Sequence, residues 1–131
     1  MRRPDYDRRV AVTGRGIISP GGTNIDTAWN NLVNGVSGLE RVTRWDPEIS
    51  PCEAAGEVND FDPKEWMNFK AVRRTDKNVV FGVAAAKQAM ADSGFEIEEE
   101  NADEVGVYFG SGVGGPGLMA DAIETLGKKG N

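Results

Sequence analysis

The sequence predicts an α/β fold, in which strands and helices alternate along one domain. Two short runs of β-prone residues are each followed directly by a glycine-rich turn. Between and after these runs, apolar residues recur at the three- and four-residue spacing of a helix. A length of 131 residues corresponds to a single domain. The predicted order is strand, helix, irregular insertion, helix, strand, helix.

The first strand is predicted over residues 10–12, and the turn that follows it over residues 13–16. A helix should begin near Asn24, with Thr23 or Asn24 as its cap, and end at the Asn34-Gly35 pair. One face of this helix is apolar and should be buried. Its members are Ile25, Ala28, Trp29, Leu32 and Val33.

The next segment, residues 36–63, contains three prolines and reads as an irregular insertion with room for two short strands. Asp62 and Pro63 can open a second helix, which is expected to break around residue 70 and then to run to Asp92 or Ser93. Gly94 is its predicted C-cap. The buried face of this helix is expected to hold Val72, Val79, Val80, Val83 and Met90.

The last third of the chain begins with an acidic stretch. Residues 92–104 contain seven acids and no base, which is typical of a solvated loop. The apolar run at 105–109 predicts a strand buried on both faces of a parallel sheet. After a glycine-rich loop, a final helix is predicted with one apolar face, formed by Leu118, Met119, Ala122, Ile123 and Leu126.

The composition excludes several classes of function. The chain has 21 acidic and 15 basic residues, a net charge of -6 and no histidine. Without histidine it cannot form a Ser-His-Asp triad, a Cys-His dyad or a histidine-ligated metal site, so no catalytic or metal-binding residue is predicted. The single cysteine, Cys52, cannot form an internal disulfide, and no neighbour in the sequence would activate its thiol. The acidic balance argues against a nucleic-acid partner, since a phosphate-binding surface needs excess cations.

No membrane segment or export signal is predicted. The longest apolar runs fall well short of the ~20 residues of a membrane-spanning helix. The basic N-terminus is not followed by the apolar region of a signal peptide. A single cysteine fits a reducing compartment, so we expect a cytoplasmic protein.

The glycine-rich loop has two possible interpretations. Gly110, Gly112 and Gly115 have the spacing of a dinucleotide-binding fingerprint and lie between a predicted strand and a predicted helix. A small dinucleotide-binding module using Gly110 to Gly117 is therefore one hypothesis. No strand follows to supply a ribose-binding acid, so a tight turn or close backbone packing is favoured. The earlier loop at 13–19 resembles such a turn more weakly, because it lacks the third glycine.

A second candidate site consists of four cations at helical spacing: Lys70, Arg73, Arg74 and Lys77. This spacing places them on one face of a helix. They could bind an acidic partner or a phosphate, or they could form a solvated face paired with the acids at 96–104. Periodicity alone favours the solvated face.

Several ordered segments together resemble the β-ketoacyl-acyl carrier protein synthases. The resemblance extends from residue 9 to about residue 126. The most similar type is the condensing enzyme of bacterial type II fatty-acid synthesis, and modular or type II polyketide ketosynthases are the near alternative. The segments that carry it are Arg9-Val10-Ala11-Val12-Thr13-Gly14, Ser19-Pro20, Trp29 with Leu32, Gly35 with Ser37-Gly38, Asp60-Phe61-Asp62, Arg73-Arg74-Thr75-Asp76, Ala89-Met90-Ala91-Asp92-Ser93-Gly94 and Gly110-Ser111-Gly112-Val113-Gly114-Gly115.

The resemblance implies a thiolase-like fold, in which two similar βα halves stack as five layers, usually in a homodimer. Residues 1–131 would form the first, incomplete part of the N-terminal half, with the insertion at about 36–63. The family elongates acyl chains by decarboxylative Claisen condensation with malonyl-carrier protein. It uses a cysteine and two histidines that come later in its sequence, and no further cofactor. This chain has no histidine and Cys52 lies too early, so alone it is expected to be inactive.

The resemblance also implies two sets of site residues. Gly112 and Val113 match positions that line the acyl pocket near the dimer interface. The helix that carries Lys70, Arg73, Arg74 and Lys77 would meet the acidic acyl carrier protein, which makes docking as plausible as the solvated face. Val72 and Thr75 differ from common family choices, so the docking footprint is expected to differ in detail. By resemblance, the glycine loop binds no nucleotide.

Overall fold

The computed structural model describes residues 9–46 and 48–130 of the chain. The helices are α1 (Ile25–Val33), α2 (Phe69–Val72), α3 (Lys77–Ser93) and α4 (Pro116–Lys129). Two short strands, β1 (Glu40–Arg41) and β2 (Ala54–Ala55), pair antiparallel. Single 3₁₀ turns form at Pro63–Glu65 and Ala102–Glu104. Because strands and helices both appear, with helices dominant, the described part is a small, partial α/β fold.

Local signals fix the helix ends. The Asn24 side chain accepts a hydrogen bond from the Thr27 N–H at the start of α1, which confirms Asn24 as the cap. Gly94 ends α3 in the left-handed conformation with φ of 62°, as predicted. The predicted apolar face of α1 is not covered in the described part of the chain, since Trp29 and Leu32 are 61% and 70% exposed. The same holds for α4, whose Leu118, Met119, Ile123 and Leu126 are all exposed.

The insertion folds as a short hairpin held by one carboxylate. Glu57 accepts hydrogen bonds from the Thr43 hydroxyl (2.6 Å), the Thr43 N–H (3.0 Å) and the Arg44 N–H (3.2 Å). The Arg44 Nε lies 3.7 Å from the same carboxylate. Hydrogen bonding, with the Thr43 hydroxyl first, lowers the pKa of Glu57 below its usual value, against a smaller effect of burial. Residues 36–46 and 48–63 are thus held together around the β1–β2 pair, as the prediction of two short strands implied.

The helical region predicted from Pro63 to Ser93 is interrupted twice. A 3₁₀ turn at Pro63–Glu65 precedes α2, and a four-residue turn at 73–76 separates α2 from α3. The predicted break near residue 70 was therefore misplaced, because α2 runs through that position. Val80 is buried and Val79 is 42% exposed, so the predicted buried face is only partly buried. The acidic stretch after α3 is largely exposed, in agreement with the prediction.

The two predicted strands at 10–12 and 105–109 do not form a sheet with each other or with any described residue. Val10 and Val12 are 93% and 84% exposed, and Tyr108 is 95% exposed. The prediction of a buried parallel pair is wrong within residues 9–46 and 48–130. A strand exists only where a second strand supplies hydrogen bonds, and none of the described segments supplies them here.

Close backbone packing joins the N-terminal loop to α3. A Cβ on Gly16 would lie 1.9 Å from the Ala85 carbonyl oxygen, and one on Gly14 would lie 2.1 Å from that of Ala89. Gln88 links the same surfaces, since its Oε1 accepts from the Ile17 N–H at 3.1 Å and its Nε2 donates to the Thr23 carbonyl at 2.7 Å. These contacts set the loop at 14–23 against α3.

The core of the described residues is small. Only three hydrophobic residues among them are buried: Val42, Val80 and Ala84. Phe61 and Phe81 add an edge-to-face aromatic pair, with ring centroids 5.0 Å apart. None of the described helices is both long enough and apolar enough to cross a membrane.

Candidate functional site

The four predicted docking cations lie around the turn between α2 and α3. Lys70 is in α2, Arg73 and Arg74 are in the turn, and Lys77 is the first residue of α3. They do not share one continuous helical face, because the helix is interrupted between Val72 and Lys77, where Asp76 is extended. All four are exposed. We refer to Lys70, Arg73, Arg74 and Lys77 as the basic turn.

The side chains of the basic turn form no ion pair among the described residues, although the Asp76 carboxylate attracts the Lys77 charge. Within residues 9–46 and 48–130, the ion pairs are those of Arg15 with Asp92, Arg44 with Glu57 and Lys128 with Glu124. The expected pairing of the basic turn with the acids at 96–104 is therefore wrong for the described residues. The Arg73 guanidinium instead lies over the exposed ring of Phe69, 5.7 Å from its centroid. The basic turn can therefore offer its charges to a partner.

Asp76 connects the basic turn to the glycine-rich loop. Its Oδ1 accepts from the Lys77 N–H at 2.7 Å, which caps α3. Its Oδ2 accepts from the N–H groups of Gly117 (2.7 Å) and Leu118 (3.1 Å), in the first turn of α4. The N–H groups of Leu118 and Lys77, followed by that of Gly117, lower the pKa of Asp76 below its usual value, against a smaller effect of burial. The Asp76 carboxylate thus accepts hydrogen bonds from the N-termini of two helices, α3 and α4.

Two glycines allow Asp76 to approach α4. A Cβ on Gly115 would lie 3.1 Å from the Asp76 Cβ, and one on Gly117 would lie 3.0 Å from its Oδ2. Gly115 occupies the N-cap of α4 and has no side chain with which to bond the helix. The predicted close backbone packing is not found at Gly115, because the neighbour there is the Asp76 side chain and not another backbone.

The rest of the glycine-rich loop is open. The Ser111 hydroxyl accepts from the Gly114 N–H at 3.0 Å, and Gly114 has φ of 80°, a conformation that favours glycine. Nothing lies within 4 Å of a Cβ built on Gly112, so it makes no close approach to any described residue. Val113 is 71% exposed and is not enclosed by a pocket formed from the described residues.

An apolar groove of about 600 Å³ runs along α3 to the start of this loop. Phe109 closes one side of it, with its ring 3.4 Å from a Cβ built on Gly82. The groove thus places the apolar face of α3 beside the glycine-rich loop. Its other apolar lining residues include Val79, Val83, Ala86, Met90 and Val107.

The geometry argues against the dinucleotide hypothesis. A pyrophosphate in such a module would bind the N–H groups at the start of the helix after the glycine loop. At α4 that position is taken by the Asp76 carboxylate, whose negative charge would repel a phosphate. In the earlier loop, Gly14 and Gly16 pack against the backbone of α3 and leave no room for a phosphate.

No nucleophile or metal centre is assembled in the described part of the chain. Cys52 is exposed, and its Sγ donates to the Ala54 carbonyl at 3.1 Å. Across residues 9–46 and 48–130, no group of three or more Cys, Asp or Glu side chains is arranged to hold a metal ion. Sequence reasoning identified the basic turn but missed Asp76. The sequence placed Asp76 only in the Arg73-Arg74-Thr75-Asp76 segment of family resemblance, which gives no sign of its contact with α4.

Comparison with known families settles the relationship. The family model of the β-ketoacyl synthase N-terminal domain matches residues 7–131. The chain belongs to the β-ketoacyl synthase family. The resemblance found from the sequence is confirmed, and the partial α/β fold is that of the thiolase-like ketosynthases.

Curated relatives carry the name 3-oxoacyl-[acyl-carrier-protein] synthase 2. The chain is 46% identical over 93% of its length to the protein from Coxiella burnetii and 43% identical over 94% to that from Vibrio harveyi. Identity to the Staphylococcus aureus (strain COL) protein is 36% over 95%. In each case the chain spans 30% of the length of the relative.

Solved structures show the same fold. The ishigamide ketosynthase/chain length factor superposes on 92% of the chain with a TM-score of 0.72 and 29% identity. A type II polyketide ketosynthase, described in complex with its acyl-carrier protein, superposes on 91% with a TM-score of 0.71 and 24% identity. The chain again covers 30% of each structure.

Proposed function

We propose that this chain is the N-terminal part of a 3-oxoacyl-[acyl-carrier-protein] synthase, which elongates acyl chains by decarboxylative Claisen condensation with malonyl-carrier protein. The observation that carries the proposal is its 46% identity to such a synthase over 93% of the chain. Identity to the ishigamide ketosynthase/chain length factor is lower, at 29%. Fatty-acid synthesis is therefore the favoured pathway and polyketide synthesis the second candidate.

The chain supplies binding surfaces in this proposal rather than catalytic groups. It has no histidine, and its one cysteine is exposed in the hairpin insertion. The acylated cysteine and the two histidines implied by the family resemblance would come from outside these 131 residues. The exposed run at 105–109 would then pair with further strands, and a second subunit would complete a homodimer, in the cytoplasm.

The basic turn is the proposed docking site for the acyl carrier protein. Four exposed cations without ion-pair partners among the described residues form a positive surface on a chain of net charge -6. Acidic partners are attracted to such a surface mainly during encounter. The relatives are themselves named as synthases acting with an acyl carrier protein.

Gly112 and Val113 are the proposed acyl-pocket residues. The side chain of Val113 is largely exposed among the described residues, so it is available to contact an acyl chain in the assembled enzyme. Gly112 would leave space beside it, because nothing lies within 4 Å of its Cβ position. The adjoining apolar groove of α3 supports an apolar ligand or an apolar covering segment at this end of the loop.

Charge reversal tests the docking site. In a complete synthase that carries this chain, Arg73→Glu with Arg74→Glu should slow association with acyl carrier protein by roughly tenfold at low salt. The effect should shrink as salt rises, because the charges are exposed and screened. A matched control, Arg41→Glu with Lys129→Glu, changes the net charge equally at exposed positions outside the basic turn.

Stopped-flow association over a salt series separates the outcomes. A loss confined to the Arg73/Arg74 variant supports the docking site. If both variants slow association equally, the effect comes from the net charge of the protein and the basic turn is not a specific docking site. If the Arg73/Arg74 variant associates at an unchanged rate at low salt, the docking proposal is wrong and the basic turn is only a solvated surface.

The pocket is tested with Val113→Phe in the same complete enzyme. A larger side chain should fill pocket volume that long acyl chains need, so kcat/KM should fall for long chains and be retained for short ones. Ile49→Phe provides a control, since Ile49 is also exposed and lies in the insertion, outside the glycine-rich loop. An unchanged chain-length profile for Val113→Phe would remove Val113 from the pocket.

A further inference from the structure

Asp76 lies between the two proposed surfaces. It follows Arg73 and Arg74 in the turn, and its Oδ2 binds the N–H groups of Gly117 and Leu118, which are 41 and 42 residues further along the chain. Both bonds are charge-assisted, so they are stronger than bonds between neutral groups. The first turn of α4 receives its side-chain cap from this distant residue, because Gly115 offers none.

The glycine-rich loop has few other restraints. Apart from the bonds to Asp76, its only side-chain hydrogen bond within the described residues is internal, from the Gly114 N–H to the Ser111 hydroxyl. The Cβ positions of Gly110, Gly112 and Gly114 have no neighbours within 4 Å. The loop therefore takes its position from its two ends, and Asp76 fixes the end at α4.

We infer that Asp76 is a positioning residue for acyl-chain selection, holding the loop of Val113 at a fixed place relative to the basic turn. This inference rests on the proposed function, because it takes Val113 as part of the acyl pocket. One extra methylene in a fitted apolar pocket changes kcat/KM by about 10- to 200-fold. Such discrimination requires a rigid wall, and a loop released from Asp76 would yield to longer chains.

The test uses Asp76→Ser in the complete synthase. Serine caps a helix as well as aspartate does, so α3 keeps its N-cap acceptor. Its side chain is too short to reach Gly117 and Leu118, and it carries no charge. Asn24→Ala is the matched control, because it removes a cap that serves only its own helix, α1. Asp76→Asn replaces the serine variant if the latter does not fold.

Two measurements are made on each variant. Amide hydrogen exchange over residues 110–118 should become roughly tenfold faster in Asp76→Ser, since two charge-assisted bonds are lost. In Asp76→Ser the released loop should accept longer acyl chains. We therefore compare kcat/KM for the longest chain that the parent enzyme accepts with kcat/KM for a chain two carbons longer, and this ratio should fall roughly three- to tenfold. Asn24→Ala should change neither quantity.

A double-mutant cycle links the effect to the loop. If Asp76 acts through Val113, the shortening caused by Val113→Phe should be smaller when residue 76 is serine, giving a non-additive cycle. Unchanged exchange in Asp76→Ser overturns the inference whatever Val113→Phe does. Faster exchange with an unchanged chain-length ratio, or an additive cycle, overturns it as well. In those cases Val113→Phe shows separately whether the pocket proposal stands.

Discussion

Expressed alone, residues 1–131 are expected to associate or to remain partly molten in solution. The accessible surface of the chain is 11253 Å². A compact monomer of its mass, 14.1 kDa, exposes only about 6,700 Å². The excess is roughly 4,500 Å², which means that less than half of the unfolded surface is buried instead of about two thirds. In the described segments, the buried hydrophobic residues are Val42, Val80 and Ala84 alone.

The exposed surface includes a run that should drive association. Val107, Tyr108 and Phe109 are 76%, 95% and 66% exposed in an extended segment. Such a segment presents unpaired backbone groups and apolar side chains to other molecules. Charged residues oppose this pairing, so Val107→Lys with Phe109→Lys should reduce association without giving the chain a cooperative transition.

Sedimentation velocity over a concentration series measures association, and near-ultraviolet circular dichroism reports fixed packing around Trp29, Trp45 and Trp66. Urea unfolding should be broad, with a slope below about 1 kcal/mol/M, because the slope follows the surface that unfolding exposes. A monomer at all concentrations that unfolds in one sharp transition would refute the argument from surface area.

Three further outcomes are expected. In the complete synthase, Gly16→Ala should destabilise by about 3 kcal/mol because its Cβ would overlap the α3 backbone, whereas Gly21→Ala should be nearly neutral, and thermal unfolding compares the two. The isolated chain should take up no acyl label on Cys52 from acyl-carrier protein, and label above that of a denatured control would contradict this. Hydrogen bonds to the Asp76 carboxylate lower its pKa, so its contribution to stability is present above the unfolded pKa, near 4, and is lost as pH falls through the lower folded value. Protection of the Leu118 amide should therefore decline with acid, and Asp76→Asn should remove that dependence.

The helices were predictable because their signals are local. The cap at Asn24, the C-cap at Gly94 and apolar spacing within each segment define α1, α3 and α4 without reference to distant residues. Burial was not predictable in the same way, because an apolar face is buried only when another element covers it. Trp29 and Leu32 have the correct spacing and remain exposed.

The strands and the link through Asp76 depend on distant partners. Residues 10–12 and 105–109 have strand composition, yet a ladder requires a neighbour that no local pattern specifies. The two bonds from α4 to Asp76 span 41 and 42 residues, and the sequence around Asp76 gives no sign of them. The residue types of the basic turn identified it as a candidate site. The three- and four-residue spacing of its cations predicted one helical face and did not reveal the interruption between α2 and α3.

The contacts between the N-terminal loop and α3 bear on how the protein emerges from the ribosome. Ile17 and Gln88 are 71 residues apart, and Arg15 and Asp92 are 77 apart. At 5–20 residues per second, roughly 4–15 s separate the synthesis of the loop from that of its partners. During that interval the loop at 14–23 has no α3 to pack against, so it stays exposed to chaperones until α3 has left the exit tunnel.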